Sequence, residues 1–152
     1  LTINKNKKMA TINATISINS DISSYPTRIN KTMTMTKAGS CNGLEETTGL
    51  RSKKFTSTAI AIIVEADEIT ADQASKVYIR NTGSSKENFF YVAYNSGAAA
   101  AATTEVIGKL YGGDWMLMPY DGGTDITVAS NTTDTQILEY MMFADGIVEA
   151  KG

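Results

Sequence analysis

Histidine is absent from the 152 residues. That removes the usual general base near neutral pH, the usual activator of a serine or cysteine nucleophile, and the commonest zinc ligand. Ser-His-Asp and Cys-His catalysis cannot occur within the chain. Cysteine is almost absent too: a lone Cys41 allows no internal disulfide and excludes a disulfide-rich scaffold. It lies in a Gly39-Ser40-Cys41-Asn42-Gly43 turn with no basic neighbour to activate it, so an inert thiol is expected. No apolar run approaches the ~20 residues of a membrane-spanning helix. The polar, basic stretch Leu1 to Lys8 has no apolar segment behind it, unlike a secretory signal.

What is present is strand-forming sequence. Hydrophobic residues make up 42% and charged residues 20%, the balance of an ordered globular chain long enough for one substantial core. Ile12, Ala14, Ile16 and Ile18 alternate with Thr11, Asn13, Thr15 and Ser17, the period of a half-buried strand. Ile29, Met33 and Met35 repeat the pattern against Thr32, Thr34 and Thr36. Ile60, Ile62 and Val64, then Val77 and Ile79, continue it, and Phe89 to Tyr94 reads as a central aromatic strand. Leu44 to Phe55 fits either a short helical turn or an irregular strand, and Glu65 to Asp72 either a helical turn or a loop. The Gly97 to Ala102 run reads as a connection. From Val106 to Phe143, apolar runs separated by Gly112-Gly113-Asp114 and Asp121-Gly122-Gly123 predict a β-meander. The expected fold is all-β, an antiparallel β-sandwich or jelly-roll-like unit of about eight strands with no long helix. The expected organisation is a basic arm over 1–9, one sandwich domain over 10–143 and a polar tail over 144–152.

Charge is unevenly spread. Residues 1–54 carry nine Lys and Arg against three Asp and Glu, and residues 55–152 carry five against thirteen. Strands from the two parts can neutralise one another side by side, or the two ends can favour head-to-tail contact between copies. Lys5, Lys7 and Lys8 form an arm that could lie on a neighbouring subunit. Three lysines without interleaved aromatic residues argue against nucleic acid as a partner.

No catalytic, cofactor-binding or metal-binding residue is assigned. Asp114, Asp121 and Asp125 frame the glycine turns, where Asp and Gly serve turn geometry, and their spacing lacks the Ca²⁺-loop pattern. Gly108, Gly112 and Gly113 are not a phosphate loop. Tyr111, Trp115 and Tyr120, if exposed together, could stack on sugars; such residues more often form a core or a subunit interface. Adjacent Met141 and Met142 must point to opposite faces of a strand, so both faces would be apolar and one would need cover from a partner. The candidate assembly surface is therefore Lys5, Lys7, Lys8, Ile12, Ile16, Tyr111, Trp115, Met141 and Met142.

The segment 76–143 resembles small virion proteins of tailed bacteriophages. The resemblance lies in Tyr78-Ile79-Arg80-Asn81-Thr82-Gly83, in the run from Ile107 to Trp115, in Met118-Pro119, in Asp125 to Val128, and in Leu138 to Phe143. It implies a β-sandwich or jelly-roll unit working in many copies on the virion, without enzymatic activity or cofactor. A capsid decoration (cement) protein is favoured over a neck, tail or fibre component or a carbohydrate-binding module. The implied partners are copies of itself and other virion proteins, such as the major capsid protein, and no membrane.

Overall fold

The structure is a computed structural model, described over residues 11–44, 46–69, 74–94, 106–145 and 147. Its described residues contain no helix, and eleven strands form three antiparallel sheets. The chain divides into two compact units, Leu1–Glu45 and Glu46–Gly152. This corrects the single domain expected over 10–143: the first two strands form a sheet of their own.

In the first unit, β1 (Asn13–Ser20) pairs with β2 (Thr27–Thr34) along eight residues each. The register puts Ala14 beside Met33, Ile16 beside Lys31 and Ile18 beside Ile29, so one face is an apolar strip carrying one lysine. The opposite face is a hydroxyl and amide ladder. Thr15 and Thr32 hydroxyls bond at 2.9 Å, and the Thr34 hydroxyl donates to Asn13 Oδ1 at 2.8 Å. Beyond β2 the chain folds back through Thr36 and Gly43, where Leu44 N–H donates to Met35 O at 3.1 Å. Met35 and Leu44 are buried, and Cys41 is exposed at the turn between them.

The second unit holds β3 (Glu46–Thr47), β4 (Arg51–Phe55), β5 (Ala61–Val64), β6 (Ser75–Asn81), β7 (Phe89–Tyr94), β8 (Val106–Tyr111), β9 (Trp115–Pro119), β10 (Ile126–Ser130) and β11 (Gln136–Ala144). One sheet runs β4-β11-β6-β9, with β3 beside the end of β11, and the other runs β5-β10-β7-β8. Eight strands, β4 to β11, thus wind between two four-stranded sheets so that the last pairs with the first. That is the strand order of a jelly roll.

The meander expected over Val106 to Phe143 does not form. Strands β8, β9, β10 and β11 fall alternately in the two sheets, and none of the four pairs with another of them. The double-glycine turns make sheet-to-sheet crossings that pass close to other backbone. A Cβ at Gly112 would lie 2.6 Å from backbone atoms of Ser84 and Ser85, and one at Gly122, where φ is +84°, would lie 2.6 Å from Ile69 Cγ1. Leu44 to Phe55 resolves into the short strands β3 and β4, and Glu65 to Glu68 into a turn. The tail expected from residue 144 starts later: Ala144 is fully buried at the end of β11, and Ile147 bridges Ile69 and packs on the core. The Gly97 to Ala102 connection lies outside the described residues.

The core fills the space between the two sheets. Val77, Ile79, Leu138 and Met142 come from one sheet and Phe90, Val92, Ile126 and Val128 from the other. Phe55 and Phe90 meet edge to face at 5.0 Å between centroids, joining the sheets. Each such side chain contributes about 1.5–3 kcal/mol by burial, which makes this inter-sheet layer the main source of stability.

Candidate assembly surface

The strands that build the core place a second, outward set of side chains on the β9-β6-β11 sheet. Because side chains alternate, Met116, Ile79 and Met142 point inward while Leu117, Tyr78 and Met141 point outward. Three cross-strand rows result. Trp115, Arg80 and Glu139 form the first, Leu117, Tyr78 and Met141 the second, and Pro119, Lys76 and Phe143 the third. Apolar and aromatic groups thus fill the middle row and both ends of the third. Trp115 is 53% exposed, while Leu117, Tyr78, Met141 and Phe143 are half-buried. Tyr78 donates its hydroxyl to Glu139 Oε1 at 3.2 Å, and partial burial, then the Glu139 charge, raise its pKa above the usual 10.0. The phenol therefore stays neutral and anchors the carboxylate beside the apolar middle row, on a face that also carries Arg80 and Lys76.

The sequence candidates separate into three groups. Trp115 and Met141 lie on this outer face. Ile12 and Ile16 lie on the apolar strip of the hairpin in the other unit. Tyr111 lies on the outside of the opposite sheet, ring to ring with Phe89 at 5.0 Å. Met142 is 1% exposed and belongs to the core, so of the methionine pair only Met141 is open to a partner. Lys5, Lys7 and Lys8 lie outside the described residues. Sequence reasoning missed Tyr78, Leu117 and Phe143; the signal was available in the register of Met141 once β6 is known to lie between β11 and β9.

The aromatic residues that suggested a sugar shelf do not form one. Tyr120 is buried, its hydroxyl donating to Thr124 O at 2.8 Å. Burial and the charges of Asp121, Asp125 and Glu68 raise its pKa strongly. Tyr111 and Trp115 face outward from different sheets. Phe89, Tyr91 and Tyr111 form a separate outer cluster whose Lys109 Nζ sits 4.8 Å from the Phe89 centroid.

The loop residues that carry polar chemistry are committed to the fold. A cleft of about 330 Å³ at one end of the sandwich is lined by Asn81 to Ser85, Gly112 and Gln136. Asn81 donates to Leu110 O at 3.0 Å and Gln136 Oε1 at 3.3 Å, and accepts from Gly83 N–H at 2.9 Å. Gln136 donates to Phe89 O and to Ser130 Oγ. Both buried amides therefore use all their donors and at least one acceptor inside the protein. Asp114 accepts from Tyr111 N–H, Asp121 from Gly123 N–H and Asp125 from Ala66 N–H. These three carboxylates hold turns together.

At the opposite end, Glu65, Asp67, Glu68, Asp121 and Asp125 gather around Tyr94 and Tyr120. Asp67 N–H donates to Gly122 O, and burial, then the Asp121 charge, raises the pKa of both tyrosines. Arg51 Nη1 pairs there with Glu68 Oε2 at 3.7 Å. Among the described residues no group of three or more side chains is arranged to hold a metal ion.

What these features define is a class: a jelly-roll unit whose polar loop chemistry is internal and whose unpartnered features are apolar faces. No family model, curated protein or solved structure matches the chain.

Proposed function

We propose that the chain is a non-enzymatic structural protein that assembles in many copies on a phage particle. A place on the capsid shell, as a decoration or cement protein, is favoured over the neck, tail or fibre. The observation that carries this reading is the outer face of β9-β6-β11. A solvated sheet face is ordinarily polar, and this one presents Trp115, Leu117, Tyr78, Met141 and Phe143 together. Tryptophan, tyrosine and methionine are enriched where proteins bind proteins. The virion itself enters through the resemblance of residues 76–143, and jelly rolls recur among capsid proteins, which is support by analogy. A sugar-binding role has less support, because Tyr111, Trp115 and Tyr120 do not share a surface.

The test is peptide mass spectrometry and labelled-antibody microscopy on particles purified from the host that carries the gene. The chain is expected in the particle at many copies, and Trp115→Lys is expected to reduce its occupancy. A chain confined to the soluble fraction, with particles intact without it, overturns the proposal.

A further inference from the structure

The β1–β2 hairpin is poorly provided with a core of its own. Ile16, Ile18, Ile29 and Met33 line one face and are 39–43% exposed. At the tip Ile22 is 96% and Tyr25 85% exposed. A two-stranded hairpin is marginal in water without something packed on its apolar face. Eight-residue strands in unbroken register with four large apolar groups in the open imply an occupant.

The charges select it. Unit 1, residues 1–45, carries six Lys and Arg against two Asp and Glu, and Arg28 and Lys31 sit on the hairpin itself. Lys31 lies within the apolar strip, opposite Ile16. Two hairpins packed face to face would bring both lysines and both positive units together in a drying interface, which is unfavourable. Unit 2, residues 46–152, carries eight cations against fourteen carboxylates. Five of those carboxylates, Glu65, Asp67, Glu68, Asp121 and Asp125, crowd one end of its sandwich, where Arg51 pairs with Glu68. Exposed apolar residues stand beside that end in sequence: Leu50 precedes Arg51, and Ile62 is three residues before Glu65.

We propose that the hairpin of one copy docks on the acidic end of the jelly roll of a second copy, its isoleucine strip meeting Ile62 and Leu50 and the Lys31 within that strip meeting Glu65 and Asp121. The contact is head-to-tail, so each copy offers one donor hairpin and one acceptor end, and repetition gives a ring or an open chain. The inference rests on the many-copy reading above for its purpose and on these two surfaces for its content. Self-association of the pure chain can succeed where particle binding fails, and the reverse, so the two are tested separately.

The experiment is sedimentation of the full chain over a concentration series at low and high salt, with charge-reversed variants. Concentration-dependent association that weakens about tenfold or more from low to high salt is expected. Lys31→Glu should weaken it about tenfold or more, as should Glu65→Lys with Asp121→Lys, all at exposed positions. An equimolar mixture of the two variants should recover association, because the intact hairpin of one meets the intact acidic end of the other and the two reversed surfaces also match; the chain carrying all three changes should likewise associate as the wild type does. Ile16→Thr with Ile18→Thr should weaken association with the salt dependence retained. A monomer at every concentration overturns the proposal. So does association that survives the Glu65 and Asp121 changes, the signature of hairpin pairing with hairpin. Binding of anionic phospholipid vesicles by a chain that stays monomeric overturns it as well and makes the strip a membrane contact.

Discussion

Strands β1 and β6 carry the same alternation, yet Ile16 and Ile18 stay exposed in β1 whereas Val77 and Ile79 are fully buried in β6. Both strands have one apolar face. The difference is that β6 faces a second sheet across Phe90, Val92 and Val128, whereas β1 belongs to a two-stranded sheet with β2. Alternation says that a strand has two unlike faces; it does not say that anything covers the apolar one. In the jelly roll the covering sheet comes from the same chain, and in the hairpin the isoleucines stay exposed.

Substitutions can sharpen or break that contrast. The largest effect is expected at Phe90, which touches Phe55 across the sheets: Phe90→Ala should cost about 3–5 kcal/mol in urea unfolding, enough to threaten folding of the unit. A loss below about 1 kcal/mol would mean that the inter-sheet layer is not what holds the jelly roll. Asn81→Ala should cost about 2–3 kcal/mol, since it strands Leu110 O, Gln136 Oε1 and Gly83 N–H in a buried site. Thermal melting of the variant reads this directly.

Tyr120→Phe removes the hydrogen bond to Thr124 O and should cost about 1 kcal/mol at neutral pH. It should also change the alkaline response. The folded protein holds the Tyr120 proton more tightly than the unfolded chain, whose pKa is the ordinary 10.0. Its contribution is therefore complete below pH 10 and is lost progressively above it, because the unfolded state releases its proton first. The Phe variant should show a shallower fall in stability above pH 10 than the wild type, and identical slopes would refute the assignment. The smallest effect is expected in the hairpin, where Ile18→Thr keeps strand propensity and loses only partial burial. Jelly-roll unfolding should shift by less than about 0.5 kcal/mol.

Much of the fold could be read from alternation and turn residues. The strand expected around Ile12 to Ile18 stands where alternation puts it, and Phe89 to Tyr94 and Ile137 to Phe143 are strands as their aromatic and apolar runs suggest. Pairing was not legible in the same way. Gly112-Gly113-Asp114 and Asp121-Gly122-Gly123 look like hairpin turns, because tight reversals need the same residues whether the chain returns beside itself or crosses to another sheet. What distinguishes the crossing is the close approach of Gly112 to Ser84 and Ser85 and of Gly122 to Ile69, contacts far away in sequence. The surface was half legible. The Met141-Met142 pair showed that β11 is apolar on both sides, but Tyr78, Leu117 and Phe143 join Trp115 only through the β9-β6-β11 register. The aromatic count near Tyr111 and Tyr120 misled toward a shelf because sequence does not tell an inward tyrosine from an outward one.

The central claim is that the jelly roll is complete in one chain and the hairpin is completed by another. Amide hydrogen exchange of the full chain at low and high protein concentration tests it most directly. Amides of β6 and β11 should be protected to the same degree at both concentrations. Amides of β1 and β2 should exchange quickly on dilution and gain protection of about tenfold or more when the chain is concentrated at low salt. Hairpin amides as protected on dilution as those of β6, and unchanged by concentration, would contradict the account.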